Sequence, residues 1–587
     1  MHYTVDVRAS LQQCAQISLK TKGKKGSNVF HLPKWRPGRY TLQEYERLIT
    51  DIEAFDAADH KLPLKKLSTH SWEILCEKEA KINIHYKFYC NNSDAGGSYQ
   101  DEEVIYINGV NLFLYQEEQL NAPCTLDLEI PEDFQVAGGL EEKEGSYIFK
   151  DFHQLVDTPF FASSNLIKHE FEVAGIPMFL WFQGDCKPNL QLMEADIRAY
   201  TEAQLKMFAE FPVQAYHYLY LMLPYHFRHG VEHYNSTVIA MGPGHRLMQS
   251  PMYKSFLEIS SHELFHTWNV KALRPADMLP YRYEERNYSR LHYITEGITT
   301  YYGDLMLWKG NVWNFKQWVD AINGELRRHY GMGGKEFISL EDASFDSWVN
   351  GYSNEGVPNR RISFYTKGNL VSMLTDIKLR KASKNHISLD TAIALLYHRI
   401  TKENRGYTKE DYQGILEELS GESFETFFEQ YISGIKDLRE GLNEVGNYMG
   451  LKLMDSPPER LEQIVWGLKS TSLGEGGVKI DTLLPGSPLA LAGLNKGDEI
   501  IAINGKKIQK DLEHLLGYFA EESEVELHFF HRNKLTSKRV PLLVQNRFLI
   551  PQFVPMVNPN EEHIINRKAW QEVKLFELSA YEQKEKK

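Results

Sequence analysis

The stretch Ser261 to Asn269, SHELFHTWN, constrains this 587-residue chain more than any other. It carries His262, Glu263 and His266 in the spacing His-Glu-x-x-His. On a helix, residues four apart share one face with Cβ atoms ~6 Å apart, so two imidazoles can close on one metal ion. The intervening glutamate is rotated by about 100° to the side, beside the position an attacking water would take. Two neutral nitrogen ligands, an open coordination position and an adjacent base form a donor set for zinc-assisted hydrolysis. The flanks agree with a buried helix, since no Pro or Gly interrupts the run between Pro251 and Pro275. A third ligand should follow, and Glu296 opens a second apolar, helix-length run that ends at Gly310. His262, His266 and Glu296 thus predict one zinc per chain. Three protein ligands beside a base favour a catalytic site, because a structural zinc usually has four. Asp304, further along the Glu296 run, reads as a solvated or capping residue.

At this length the chain should hold three or four domains, and its 42% hydrophobic and 25% charged residues are ordinary for a globular protein. A net charge of -13 argues against nucleic acid and anionic membrane as partners, because either needs a basic face. No apolar run is long enough for a membrane span. Cys14, Cys76, Cys90, Cys124 and Cys186 stand far apart with no CxxC pair, the usage of reduced thiols in a cytosol. The opening MHYTVDVRAS alternates like a strand and lacks the apolar stretch of a signal peptide, so the expected location is cytoplasmic.

The overall class reads as multidomain α+β. Residues 1–165 are short alternating segments such as HYTVDVRA and KINIHYKFYC, which predict an N-terminal antiparallel β domain, a sandwich or saddle. Trp35 to Tyr40, WRPGRY, is a turn-rich, aromatic and basic stretch within it. Over 166–456, two strand-like runs, a long helical pattern and the apolar YLYLMLPY precede the His-Glu-x-x-His helix, and helical segments follow it. Past Pro457-Pro458 the pattern returns to short strands with Gly-Asp and Asn-Gly turns through 545, and 546–587 reads as a C-terminal tail that packs along the body before fraying.

Taken together, HLPKWRPGRY, HGVEHYNST, HELFHTWNVKALRP, TEGITTYYGDL, FYTKGNLVSML and LPGSPLALAGLNKGDEIIAING resemble, in content and order, the glycyl aminopeptidase family of zinc metallopeptidases, relatives of thermolysin. The resemblance spans nearly the whole chain. It implies a thermolysin-like, largely helical catalytic domain over 166–456 and a PDZ domain over 457–545, with the N-terminal domain leaning over the active site. It also implies Glu263 as general base and Tyr365 as hydrogen-bond donor to the oxyanion. Glu232, with Gly230 on the same strand, would capture the α-ammonium of a substrate, since a carboxylate one residue's length from the metal selects a free N-terminus. Trp466, Gly467 and Leu468 would form the loop whose amides hold a peptide C-terminus.

The expected activity is release of the N-terminal residue, small such as Gly or Ala, from peptides. Two rivals stand beside it: an endopeptidase or oligopeptidase with the same metal centre, and a PDZ-type peptide-binding scaffold with a structural metal site. Every candidate catalytic residue precedes 456, so truncation there is expected to leave a working catalytic body.

Overall fold

In the first sheet, His2–Asp6 and Cys14–Gly23 bury every second residue and pair antiparallel. Strands buried on one face need a covering layer. The computed structural model, which describes residues 1–8, 13–351, 357, 360–509 and 512–582, supplies three sheets in this domain, of eight, four and three strands. Their facing residues share one apolar cluster that includes Tyr3, Ile17, Phe30, Trp72 and Ile107. The domain is not wholly antiparallel: His2–Asp6 pairs in parallel with Cys124–Glu129.

The region from 166 onward starts with a five-stranded sheet. Its spatial order is Ile167–Val173, Ile176–Gln183, Tyr216–Met222, Ser236–Gly242, Phe227–Glu232. The last of these is an edge strand, joined antiparallel to Ser236–Gly242 with Gly230 opposite Ile239 and Glu232 opposite Thr237. One face of this sheet meets the four-stranded sheet of the N-terminal domain through Tyr106, Phe161, Trp181, Leu219, Leu221, Val231 and Val238. The strand that ends on Glu232 is therefore backed by the N-terminal domain.

Helices pack beside the sheet: Ser250–Phe265, which carries His262 and Glu263; Thr299–Lys309; Phe315–Tyr330; and Phe364–Ser383, which carries Tyr365. Local sequence sets their starts. Pro251 stands in the first turn of one, and Asn314 with Gln317 and Ser363 cap two others by accepting backbone N–H bonds.

The WRPGRY segment is fastened to the excursion between His266 and Glu296. The Trp35 indole N–H donates to Arg282 O at 2.8 Å, and the Tyr40 ring lies 3.9 Å from that of His292. Nearby, His31 and His70 meet Glu284 at 3.0 and 3.9 Å, and these imidazoles hold its carboxyl well below the usual carboxylate range.

The PDZ-like region has its own core, including Ile464, Trp466, Leu468, Ile480 and Leu527. The segment after it packs along the body, as expected, and does so as a paired strand and a helix. Ile550–Pro555 pairs residue for residue with Leu451–Ser456, and Phe553 and Trp570 are buried in the main apolar core. Residues 457–549 are thus an insertion between two paired strands, which argues against the expectation that truncation after 456 leaves a working body. Residues 583–587, at the end of the expected fraying segment, lie outside the described residues. All five cysteines are free, and among the described residues no helix is long and apolar enough to cross a membrane.

Candidate active site

His262 and His266 stand one helical turn apart, and their Nε2 atoms approach to 3.1 Å. Glu296 comes from a different element, a single π-helical turn over Tyr293–Ile298 that runs into the next helix. Such turns widen the helix and recur at functional sites. Its Oε2 lies 3.9 Å from His262 Nε2 and 3.4 Å from His266 Nε2, so three metal-binding atoms converge.

Asn269, the last residue of the opening motif, ties these elements together. Its side-chain amide donates to Ile294 O at 2.8 Å, to Thr295 O at 3.3 Å and to Thr299 Oγ1 at 3.1 Å. Its backbone carbonyl accepts from His266 Nδ1 at 2.8 Å. A carbonyl can only accept, so Nδ1 carries a proton and Nε2 is the nitrogen turned toward Glu296. Glycines set the remaining spacing. A Cβ on Gly297 would lie 2.6 Å from Gly368 Cα, so the Glu296 and Tyr365 helices cross where only two glycines fit. That crossing carries the Tyr365 phenol close enough to Glu296 to oppose the rise that burial causes in its carboxyl.

Glu263 is buried, and its Oε2 has no hydrogen-bond partner. A Cβ on Gly230 would stand 2.2 Å from Glu263 Oε1, so the edge-strand backbone passes directly over this carboxylate. Glu232, also buried, brings its carboxylate within 4.8 Å of Glu263 and His266. Over it sits Gly38 of the N-terminal domain, where a Cβ would meet Glu232 Oε2 at 2.6 Å. Gly38 adopts φ +79°, a backbone region that side chains rarely tolerate. The N-terminal domain therefore closes the Glu232 end of the cleft.

The electrostatics are those of a cation site. Burial pushes the Glu263 carboxyl up to about 8, with Glu232 and Glu296 adding to the rise and His266 opposing it. Burial also raises Glu296 and drives His262 well below its usual value. For His266 burial acts downward, but the carboxylates of Glu296, Glu232 and Glu263 outweigh it and hold it up at about 10. Three carboxylates around one imidazolium are an excess of negative charge in a buried space.

The cleft, about 630 Å³, runs on past His262 between the edge strand and the Phe315–Tyr330 helix. Asp304 lines it rather than standing in solvent, and burial beside Glu258 and Glu325 raises its carboxyl well above the usual range. Gly38, Asn269 and the Gly297–Gly368 contact were not assigned roles from sequence. The only local trace of the three glycines is their place in otherwise apolar or turn-rich runs, and Asn269 shows only as the end of the opening motif.

In the PDZ-like region, Trp466 and Leu468 are core residues, and the Trp466 indole N–H donates to Pro541 O at 2.9 Å. Gly467 ends the short helix Leu461–Trp466, and its N–H donates to Gln463 O at 3.0 Å. The Leu468–Ser472 strand that follows is an edge of its sheet.

This fold and site define a metallopeptidase of the aminopeptidase type. Residues 2–164 match the Peptidase M61 N-terminal domain, 255–371 match M61 glycyl aminopeptidase and 479–529 match a PDZ domain. The two peptidase segments of the chain are therefore those of M61 glycyl aminopeptidases. Its fold is similar to the crystal structure of an aminopeptidase N family protein from Idiomarina loihiensis, with 24% identity, 97% of this chain and 99% of that one covered, and a TM-score of 0.88. An M1 zinc metallopeptidase from Deinococcus radiodurans is more distant, at 12% identity, 74% of this chain and 93% of that one, and a TM-score of 0.45. No curated protein matches the chain.

Proposed function

We propose that this metallo-aminopeptidase uses zinc to release the N-terminal residue of peptides, with Gly or Ala preferred. The carrying observation is the buried Glu232 carboxylate beside Glu263 and His266, roofed by Gly38. A carboxylate at that distance favours an ammonium over a neutral backbone, so the first peptide bond is the one in register. The Gly or Ala preference is supported by the family alone.

The donor set fits zinc: two imidazole nitrogens and one carboxylate oxygen converge, and the unpartnered Glu263 Oε2 lies alongside. His262, His266 and Glu296 would hold one ion per chain, which supplies Lewis-acid polarisation of the scissile carbonyl and makes the attacking water more acidic. Glu263 takes the water's proton and returns it to the leaving amine. Tyr365 donates a hydrogen bond to the oxyanion. Gly230 lets the substrate backbone lie along the edge strand. At the PDZ domain, Trp466-Gly467-Leu468 would receive a peptide C-terminus once the Gly467 N–H leaves Gln463.

Glu232→Gln is expected to lower kcat/KM for free-amine substrates ~10- to 100-fold, the worth of a charge-assisted contact. Any residual cleavage of N-acetylated peptides should change little. Gly-, Ala- and Leu-arylamides assayed beside their acetylated forms check this. If the wild type cleaves acetylated and free substrates equally well, the endopeptidase reading replaces this one.

A further inference from the structure

We infer that the cleft also reads the far end of its substrate: Arg228 binds the free C-terminal carboxylate of dipeptides and tripeptides. The inference rests on the aminopeptidase reading of Glu232. Alternate residues of a strand face the same way, so Arg228, Gly230 and Glu232 share one face of the edge strand, and all three line the cleft. Glu232 takes the amine, and Gly230 lies against Glu263. A peptide held by its amine at Glu232 with its first carbonyl at Glu263 must send its leaving portion toward Arg228.

The charges at that end leave Arg228 available. Lys254 pairs with Glu258 at 3.5 Å, Arg328 with Glu325, and Asp320 with Lys316 at 2.7 Å. Among the described residues of the cleft, Arg228 and Arg327 are the cations without an ion pair, and Arg228 is exposed. Asp304, the remaining acid there, is pushed toward its neutral form by burial.

The lengths also agree. Two or three extended residues span at most ~7–11 Å. Strand positions four apart are ~13 Å apart, a gap that a long arginine side chain leaning inward shortens. A guanidinium binds a terminal carboxylate through two parallel hydrogen bonds.

The test compares Ala-Phe and Ala-Ala-Phe with their C-terminal amides on the full-length, metal-loaded enzyme. Wild type is expected to favour the free acids ~10- to 100-fold in kcat/KM. Arg228→Gln should bring the acid-to-amide ratio toward one, and Arg228→Lys should keep part of it. Equal wild-type rates on acid and amide would overturn the inference, as would an Arg228→Gln variant that loses both alike and keeps the ratio. N-acetylated versions of the same peptides separate the two readings. If acetylation abolishes cleavage while acid and amide are equal, only Arg228's role falls; if acetylated peptides are cleaved freely, the amine anchor itself falls.

Discussion

Glu263→Gln is expected to lower kcat by ~10²-fold or more while the metal stays bound, the loss typical of a missing general acid/base. The two effects separate because Glu263 is outside the converging group of His262, His266 and Glu296. Glutamine is nearly isosteric with glutamate, so the tight contact with Gly230 and the buried setting are kept. What is lost is a carboxylate that can accept a proton. The pH profile gives a second readout. Burial holds this carboxyl up to about 8, and a nearby divalent cation favours its charged form, so the acid limb of the wild-type rate should fall below pH 8. The Gln variant should lack that limb. Metal analysis and turnover on an Ala-arylamide check the prediction; metal lost along with activity would make Glu263 a ligand, and a near-full rate would remove it from the chemistry.

The convergence of His262 and His266 was legible because its geometry is local. His262, Glu263 and His266 lie within a single helical turn, and a helix fixes their relation without any tertiary information. Glu296 was within reach because it opens the next apolar run, although nothing in its spacing announced the π-helical turn. The other contributors act across distances that one sequence does not encode. Gly38 roofs Glu232 from another domain, and Gly297 meets Gly368 across a helix crossing. A glycine in either place reads locally as a turn or a flaw in a helix. Asn269 reads as the end of a motif, while its function is to satisfy carbonyls that the Tyr293–Ile298 turn releases. The same limit explains why the C-terminal segment showed no sign of its strand partner. IPQFVP carries two prolines, which remove ladder donors and argue against a central strand, but a two-stranded ribbon has open edges that tolerate them.

Cutting the chain after 456 is expected to leave a catalytic body that does not fold, whereas excising 458–548 is expected to leave one that folds and turns over short substrates. Truncation removes Phe553 and Trp570 from the catalytic core, and losing one such buried aromatic costs ~3–5 kcal/mol. It also strands buried partners. Asn323 exchanges two hydrogen bonds with the Phe553 backbone, Tyr301 accepts from the Trp570 indole, and Arg380 donates to Ala569 O. Each buried polar group left unpaired costs ~1–3 kcal/mol more, so the total reaches the ~5–15 kcal/mol that holds a typical domain together. Excision avoids all of this. Ser456 and Ile550 face each other at the end of the strand pair, so a hairpin loop of ~2–5 residues can join them, and the inserted domain takes its own core away with it. Every residue lining the catalytic cleft lies between Gly38 and Thr366. Thermal melts and arylamide turnover of the two variants check the prediction. A truncated chain that melts cooperatively and turns over would make the Ile550–Pro555 strand dispensable, and an excised chain that folds without activity would mean that the PDZ domain completes the site.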